Sequence, residues 1–173
     1  MARQVIQFLI LFVVLVLVQV LVCNNISIFN VATPFVFIYF LIRLPIDMRI
    51  NWVLTLSFFS GLIVDVFSDT QGMNALACTL LGASRNVIFG LYVTRRDEIA
   101  DTVPSMRSLG MAVYMKYLLT MTLFYCVVIT FVEAFALHNA LLSVLRAVCS
   151  TVLSFAVMLG IDSFVNTRNE KGL

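Results

Sequence analysis

The residues best suited to chemistry in this sequence are three charged side chains within or next to long apolar segments. Asp65 and Glu133 each end such a segment, and Arg146 lies about two turns inside another. A charge at the bilayer centre costs roughly 2.5–3.5 kcal/mol on insertion scales, so such groups pair, reach the interface or serve a function. We expect Arg146 to turn inward and pair with Asp65 or Glu133, and such a pair would be structural. The alternative is that all three lie among the lipid headgroups.

Arg85 is a further intramembrane candidate, because it lies within about two turns of the end of its own apolar segment. Two placements are open for it. Its long side chain reaches the bilayer surface, as lysine and arginine often do near helix ends. Otherwise it sits inside the bundle, beside Gly82 and Asn86, where it needs polar partners.

Residues needed for catalysis inside a membrane are sparse. The one histidine, His138, falls in a short loop, so neither a two-histidine metal site nor a serine–histidine dyad can be built in the membrane. Asp65 and Asp69 flank a turn without a phosphate-binding Gly/Lys loop, and Asp69 is expected to cap the helix that follows. The four cysteines are far apart, which favours small core residues. We predict no enzymatic activity, no cofactor and no bound metal.

Six apolar segments must position these residues. About 20 apolar residues cross a bilayer as a helix, and a composition with 62% apolar and 12% charged residues does not suit a soluble domain. The sequence therefore predicts an all-α, six-transmembrane-helix bundle that forms one integral-membrane domain over residues 1–173. The predicted spans are Val5–Cys23, Ile26–Ile42, Ile50–Phe67, Met73–Tyr92, Leu109–Val132 and Asn139–Val165. In the second span, Pro34 indicates that the helix begins as late as Thr33, after an irregular outer segment at 24–32.

Basic residues of the connections fall on one side of the bilayer when these spans are threaded in and out. Those on that side are Arg3, Arg43, Arg49, Arg95, Arg96, Arg107, Arg168 and Lys171, and the opposite loops contain none. Short cytoplasmic loops are enriched in lysine and arginine, so both termini are expected in the cytoplasm. The net charge of +2 is small and scattered, which does not indicate nucleic-acid binding.

Small and polar residues at helical spacing indicate which helix faces meet protein rather than lipid, because close backbone approach drives helix packing in membranes. The third span has Ser57, Gly61 and Asp65 on one face. The fourth has Asn74, Cys78, Gly82, Asn86 and Gly90, and the sixth has Ala140, Ser143, Ala147, Ser150 and Ser154. We predict that these three faces lie inside the bundle. The first span is almost uniformly bulky and is expected at the periphery.

The segment from Gly61 to Ala75 resembles the hallmark of the MreD family, the small membrane subunit of the bacterial rod-shape and cell-wall elongation system. In that pattern, Gly61-Leu62-x-x-Asp65 ends one helix and, after a short turn, Gly72 opens the next. Length, six spans and the Thr33-Pro34 and Arg43-Leu44-Pro45 segments also fit. In the residues themselves, Gly61 allows close helix contact, Asp65 can cap or pair at the outer boundary, and Gly72 permits a tight reversal.

The resemblance implies a multi-pass protein of the bacterial inner membrane with a non-enzymatic scaffold function. It would bind an MreC-like membrane protein and help couple cytoplasmic actin-like filaments to the glycosyltransferase and transpeptidase that build the wall. The family fold is also similar to the substrate-binding subunits of energy-coupling-factor transporters. An alternative function is therefore a transporter subunit, with an outward pocket lined by Asp65, Asn74, Glu133 and Arg146. The bulky first helix, which lacks a small-residue motif for a transporter partner, favours the scaffold.

Overall fold

Every regular element in the described part of the chain is helical. The computed structural model describes residues 2–23, 33–93, 103–134 and 140–170. Its elements are α1 (Ala2–Val18), continued by a π-helical turn (Gln19–Cys23), then α2 (Ile38–Ile42), α3 (Ile50–Ser68), α4 (Met73–Tyr92), α5 (Met106–Leu109), α6 (Met111–Ala134) and α7 (Ala140–Glu170). The prediction of an all-helical chain is confirmed for these residues.

Four of these helices are long and apolar enough to cross a membrane. Their spanning parts are Ile50–Ser68, Met73–Tyr92, Met111–Glu133 and Val144–Asp162, and α1 contributes a shorter apolar stretch at Phe8–Leu21. The chain is therefore a multi-pass helical membrane protein. The third and fourth predicted spans agree with α3 and α4 to within one residue, because polar or glycine-containing turns bound both segments.

The second predicted span, Ile26–Ile42, is wrong as a full-length helix. Among its described residues only Ile38–Ile42 are α-helical, and Thr33–Val36 form no regular element. The expected start at Thr33 is wrong as well. The residue before a proline is disfavoured in the α conformation, and Pro34 has no N–H to donate. The expected irregular segment at 24–32 lies outside the described residues.

Side chains from other helices satisfy the backbone of this non-helical stretch. The Thr33 N–H donates to Ser150 Oγ at 3.2 Å and the Phe35 N–H donates to Ser154 Oγ at 2.7 Å. Gln19 of the π-helical turn accepts from the Val36 N–H at 2.8 Å and donates to the Pro34 carbonyl oxygen at 3.1 Å. Non-helical backbone at membrane depth is tolerated only where protein or water satisfies it, and here three side chains do so.

The bundle core forms where the small-residue faces meet. Helix α3 packs against α4, α4 against α6, and α6 against α7. The predicted faces are buried at Ser57, Gly61, Asp65, Asn74, Cys78, Gly82, Ala147, Ser150 and Ser154. Asn86 is half-buried and Gly90 is exposed, so the α4 face leaves the core towards its C-terminus. Ala140 and Ser143 lie outside the described side chains.

Helix α1 lies at the periphery, as predicted from its bulky sequence. Leu9, Ile10, Val13, Val14 and Leu17 are about half exposed, with exposed fractions of 46–60%. Gln19 departs from this pattern, since its amide is buried against the Thr33–Val36 stretch. The fifth predicted span also differs at its start, because Gly110 (φ 79°) separates the short α5 from α6. The spanning helix therefore begins at Met111 rather than Leu109.

The bundle has two distinct ends. At the hairpin end, α3 turns into α4 through residues 69–72, and the π-helical turn and the C-terminal part of α6 lie at the same end. At the opposite end, which we call the arginine end, α2 ends at Arg43 and α7 brings Asp162 beside it. Each end carries its own cluster of polar side chains.

Candidate functional site

Asp65 is the centre of the hairpin-end cluster. Its Oδ1 accepts hydrogen bonds from Thr70 Oγ1 at 2.5 Å, from Asn74 Nδ2 at 2.9 Å and from the Asn74 N–H at 3.0 Å. Its Oδ2 accepts from the Ala75 N–H at 2.8 Å. The first N–H groups of a helix have no partner within the helix. The last turn of α3 thus supplies the N-terminal cap of α4, and the negative charge faces the positive end of the α4 dipole.

Asn74 extends this cluster into α6. Its amide Nδ2 also donates to Thr70 Oγ1 at 3.1 Å, and its Oδ1 accepts from Tyr125 Oη at 2.5 Å. The Tyr125 ring contacts Phe35 and Phe37, with ring centroids 5.2 and 5.8 Å apart. A continuous chain of contacts therefore runs from Asp65 through α4 and α6 to the non-helical stretch.

Asp69 does not cap α4, contrary to the sequence expectation. It is the C-terminal residue of the α3 turn, with a left-handed backbone (φ 54°), and its N–H donates to the Asp65 carbonyl oxygen. Gly72 occupies the N-cap position of α4 with φ 78° and has no side chain to offer. The backbone is left-handed at Asp69 and at Gly72, the first and last residues of the turn, and this makes the reversal tight. The preceding helix can therefore provide the cap through Asp65, although Asp69 is nearer to α4 in sequence.

Two glycines bring α3 and α4 close together. A Cβ built on Gly61 would lie 2.5 Å from Ala75 Cα and 2.7 Å from Ala75 N, which are backbone atoms of α4. A Cβ on Gly82 would collide with the Ser57 side chain. The contact that Gly61 permits places the end of α3 directly against the first turn of α4, and this proximity lets Asp65 reach the Ala75 N–H.

The predicted pairing of Arg146 is wrong. Among the described residues the one ion pair within 4.0 Å is Arg43–Asp162, so Arg146 pairs with neither Asp65 nor Glu133. Asp65 is already saturated by four donors from Thr70, Asn74 and Ala75. Arg146 is half-buried, and its guanidinium acts on Glu133 only through a longer-range Coulombic attraction.

Glu133 faces a cavity of about 250 Å³ at the hairpin end, which we call the Glu133 cavity. Its polar lining residues are Gln19, Thr33, Ser68, Thr70, Asn74 and Glu133. Of the four residues expected to line one pocket, Asn74 and Glu133 line this cavity, whereas Asp65 and Arg146 do not. Asp65 lines a separate depression of about 260 Å³ over the α3–α4 turn, together with Asp69 and Gln71.

The arginine end carries a second cluster, centred on Asp162 of α7. Asp162 Oδ1 accepts from Tyr39 Oη at 2.6 Å, from Tyr114 Oη at 3.1 Å and from Arg43 Nη1 at 3.2 Å. Arg43 Nη1 also donates to Tyr39 Oη at 2.9 Å. The carboxylate is only 2% exposed, so these three donors replace the water that it would have at a surface. The cluster ties α2, α6 and α7 together.

Arg85 lies inside the bundle, which resolves the two placements left open by the sequence. It is 2% exposed, and its Nη2 donates to the carbonyl oxygen of Leu44 and, at 3.1 Å, to that of Pro45. The α2–α3 connection thus receives its hydrogen bonds from α4. Arg85 Nη1 and the hydroxyl of Tyr117 are buried without a hydrogen-bond partner in the described part of the chain.

Similarity to known proteins adds nothing to this geometry. No family model, curated protein or solved structure matches this chain. In the described residues, no three histidine, cysteine, aspartate or glutamate side chains come together as a metal site would require. Both clusters consist of mutually satisfied hydrogen bonds, an arrangement suited to holding helices in register.

Sequence reasoning missed Asp162, Gln19 and the buried tyrosines. Asp162 lies three residues before the predicted end of its span at Val165, a position where a charged residue can reach the interface. The negative charge of Asp162 is the feature from which its role could have been predicted. An acidic residue in an apolar segment, predicted at the same end as Arg43, indicates a pair. Gln19 gave a similar signal as a polar residue in an otherwise apolar helix.

Proposed function

We propose that this chain is a non-enzymatic scaffold subunit of the bacterial cell-shape and peptidoglycan elongation machinery, resident in the inner membrane. The observation that carries the proposal is the saturation of Asp65. All the donors around this carboxylate belong to the turn and first residues of α4, in the segment that resembles MreD. A carboxylate held by four intramolecular hydrogen bonds is suited to fixing a helical hairpin and poorly suited to proton transfer or metal binding.

The proposed partner is an MreC-like membrane protein, bound through membrane helices, with wall-synthesis glycosyltransferase and transpeptidase and an actin-like filament protein as further members of the assembly. We propose six passes with both termini in the cytoplasm, so that the hairpin end faces outward. Arg43, Arg49 and Arg85 at the arginine end would then lie towards the cytoplasm, in agreement with the usual bias of basic residues. Accessibility of a tag placed after Gln71 to an impermeant reagent in intact cells tests this orientation.

Depletion in a rod-shaped host is the direct test of function. Rounding of the cells, reversed by the wild-type gene, is the expected result, together with copurification of an MreC-like protein from detergent extracts. Retention of cell shape under full depletion would refute the proposal.

The Glu133 cavity favours a second candidate, a small-molecule-binding subunit of a transporter. Its polar lining at one end of the bundle is a feature that a substrate site would need. Its volume of about 250 Å³ lies just below the range of pockets that bind drug-sized ligands, which begins at about 300 Å³. A growth defect on depletion that is remedied by one vitamin, with shape unchanged, would support this candidate over the scaffold.

A further inference from the structure

The Glu133 cavity has a feature that a structural role leaves unexplained. The Glu133 carboxylate accepts no hydrogen bond and forms no ion pair within the described part of the chain, although it is half-buried at the end of a membrane helix. The two other acidic side chains that are buried in the described bundle, Asp65 and Asp162, are each held by three or more donors. Glu133 is thus a partly desolvated carboxylate without a short-range partner.

Several polar groups in the cavity wall beside Glu133 already donate hydrogen bonds within the protein. Thr70 Oγ1 donates to Asp65, and the two hydrogens of Asn74 Nδ2 go to Asp65 and to Thr70. Gln19 Nε2 donates to the Pro34 carbonyl oxygen. These groups are engaged with other protein atoms, whereas the Glu133 carboxylate offers its lone pairs to a ligand.

The charge that lines the cavity is negative, and Arg146 attracts Glu133 from beyond 4.0 Å without lining the cavity. Glu133 is the one formally charged side chain among the described residues that line it, and no lysine or arginine lines it. The Asp65 carboxylate lies directly behind the wall, bonded to Thr70 and Asn74. Two carboxylates near a partly enclosed space favour a cation with N–H donors.

The size and remaining lining limit what that cation can be. About 250 Å³ suits a group of a few heavy atoms rather than a nucleotide or peptide. Phe35 and Ile129 supply apolar contacts beside the polar wall, which suits a short methylene stem. A primary ammonium on a two- or three-carbon stem meets each of these requirements.

We propose that the Glu133 cavity binds a primary ammonium group, with Glu133 as its counter-ion. The ammonium comes either from a small free amine or from the ethanolamine headgroup of a phospholipid at the hairpin end of the bundle. This binding is independent of the scaffold function, because it requires only the cavity and its carboxylate.

The free-amine arm uses the purified full-length protein in detergent. Ethanolamine chloride and choline chloride are titrated at constant ionic strength while thermal unfolding is followed with a thiol-reactive dye that reports the buried Cys78 and Cys126. A second arm uses lipid nanodiscs that differ only in phosphatidylethanolamine or phosphatidylcholine. We expect ethanolamine, phosphatidylethanolamine or both to raise the Tm, with little effect from the trimethylated counterparts, which lack N–H donors.

The matched variants are Glu133→Gln, which keeps the side-chain shape, and Asp47→Asn, which removes an exposed carboxylate near the arginine end. The amine response should weaken about tenfold or more in Glu133→Gln and stay at the wild-type level in Asp47→Asn, because a charge-assisted hydrogen bond is lost only in the former. A response to the free amine alone or to the lipid alone identifies the source of the ammonium.

The proposal is overturned if the wild-type protein responds neither to ethanolamine nor to phosphatidylethanolamine. It is also overturned if the wild-type protein responds equally to their trimethylated counterparts. The same conclusion follows if Glu133→Gln responds like the wild type. Should Glu133→Gln fail to fold, the comparison of ethanolamine with choline on the wild type decides by itself. Copurification of an MreC-like partner is scored separately, so failure of the scaffold proposal would be distinguishable.

Discussion

Asp162 of α7 and Arg43 at the end of α2 form a buried ion pair, with 3.2 Å between Oδ1 and Nη1, that joins segments more than a hundred residues apart in sequence. The hydroxyl of Tyr39 lies between them, 2.6 Å from the carboxylate and 2.9 Å from the guanidinium. Helix α2 has only five residues, too few to span a membrane or hold its own position. This pair is therefore a principal attachment of α2 to the bundle.

Asp162→Ala is expected to be among the most destabilising substitutions in the chain. Removal of the carboxylate leaves two tyrosine hydroxyls without their acceptor and Arg43 without its counter-ion, and breaking a buried pair costs about 3 kcal/mol or more. Thermal unfolding in one detergent measures the effect, with Asp47→Ala as a control at an exposed carboxylate. Equal melting of the two variants would mean that the pair contributes nothing to stability.

Asp65→Asn and Asp69→Asn make the same chemical change at two positions of the α3–α4 hairpin. We expect the first to destabilise the protein and the second to leave its stability unchanged. In Asp65→Asn an amide N–H₂ must face one of the donors that the carboxylate now accepts, at a cost of about 1–3 kcal/mol. Asp69 is exposed and left-handed, a conformation that asparagine tolerates well, so its variant should melt like the wild type. The order of the two Tm values is the readout, and a reversed order would contradict the capping role of Asp65.

Gly61→Ala and Gly160→Ala test the close contact of α3 and α4. A Cβ at Gly61 meets the α4 backbone, which cannot give way as a flexible side chain could, so a loss of about 1–3 kcal/mol is expected. A Cβ at Gly160 has nothing within 4 Å, and alanine there should be neutral or stabilising by about 0.5–1 kcal/mol through helix propensity. A Gly61→Ala protein as stable as Gly160→Ala would show that the helices do not approach as closely as described.

The sequence was sufficient to predict the features that depend on local pattern. The ends of α3 and α4 follow from the turn residues around Gly72, and the buried faces follow from small residues at four-residue spacing. The sequence predicts Asp69 as the cap of α4, because it is the nearer carboxylate. Asp65 is the cap because the chain reverses tightly and Gly61 lets α3 approach the first turn of α4. The spacing of apolar residues in the sequence does not indicate either feature.

The features that escaped prediction depend on which helices meet. The sequence predicts Ser150 and Ser154 on an inward face. It does not indicate that their hydroxyl oxygens accept hydrogen bonds from the backbone N–H groups of Thr33 and Phe35, 117 and 119 positions earlier in the chain. Hydropathy predicted a second helix there because apolar residues dominate the segment. Hydropathy does not indicate that Pro34 interrupts the helical hydrogen bonds, or that serine side chains of α7 accept hydrogen bonds from the freed backbone N–H groups.

Ser154→Ala tests whether α7 stabilises the non-helical Thr33–Val36 stretch through this hydrogen bond. The substitution removes the acceptor of the Phe35 N–H and leaves a backbone donor unsatisfied at membrane depth, which costs about 1–3 kcal/mol. Ser84→Ala is the matched control, because Ser84 Oγ donates to the Leu81 carbonyl oxygen of its own helix at 3.0 Å and bonds no other helix in the described part of the chain. We expect Ser154→Ala to lower the Tm and to speed hydrogen–deuterium exchange of the peptide that contains Phe35, while Ser84→Ala changes neither. Unchanged exchange at Phe35 in Ser154→Ala would mean that the serine does not hold this stretch, and that Gln19 and Ser150 suffice.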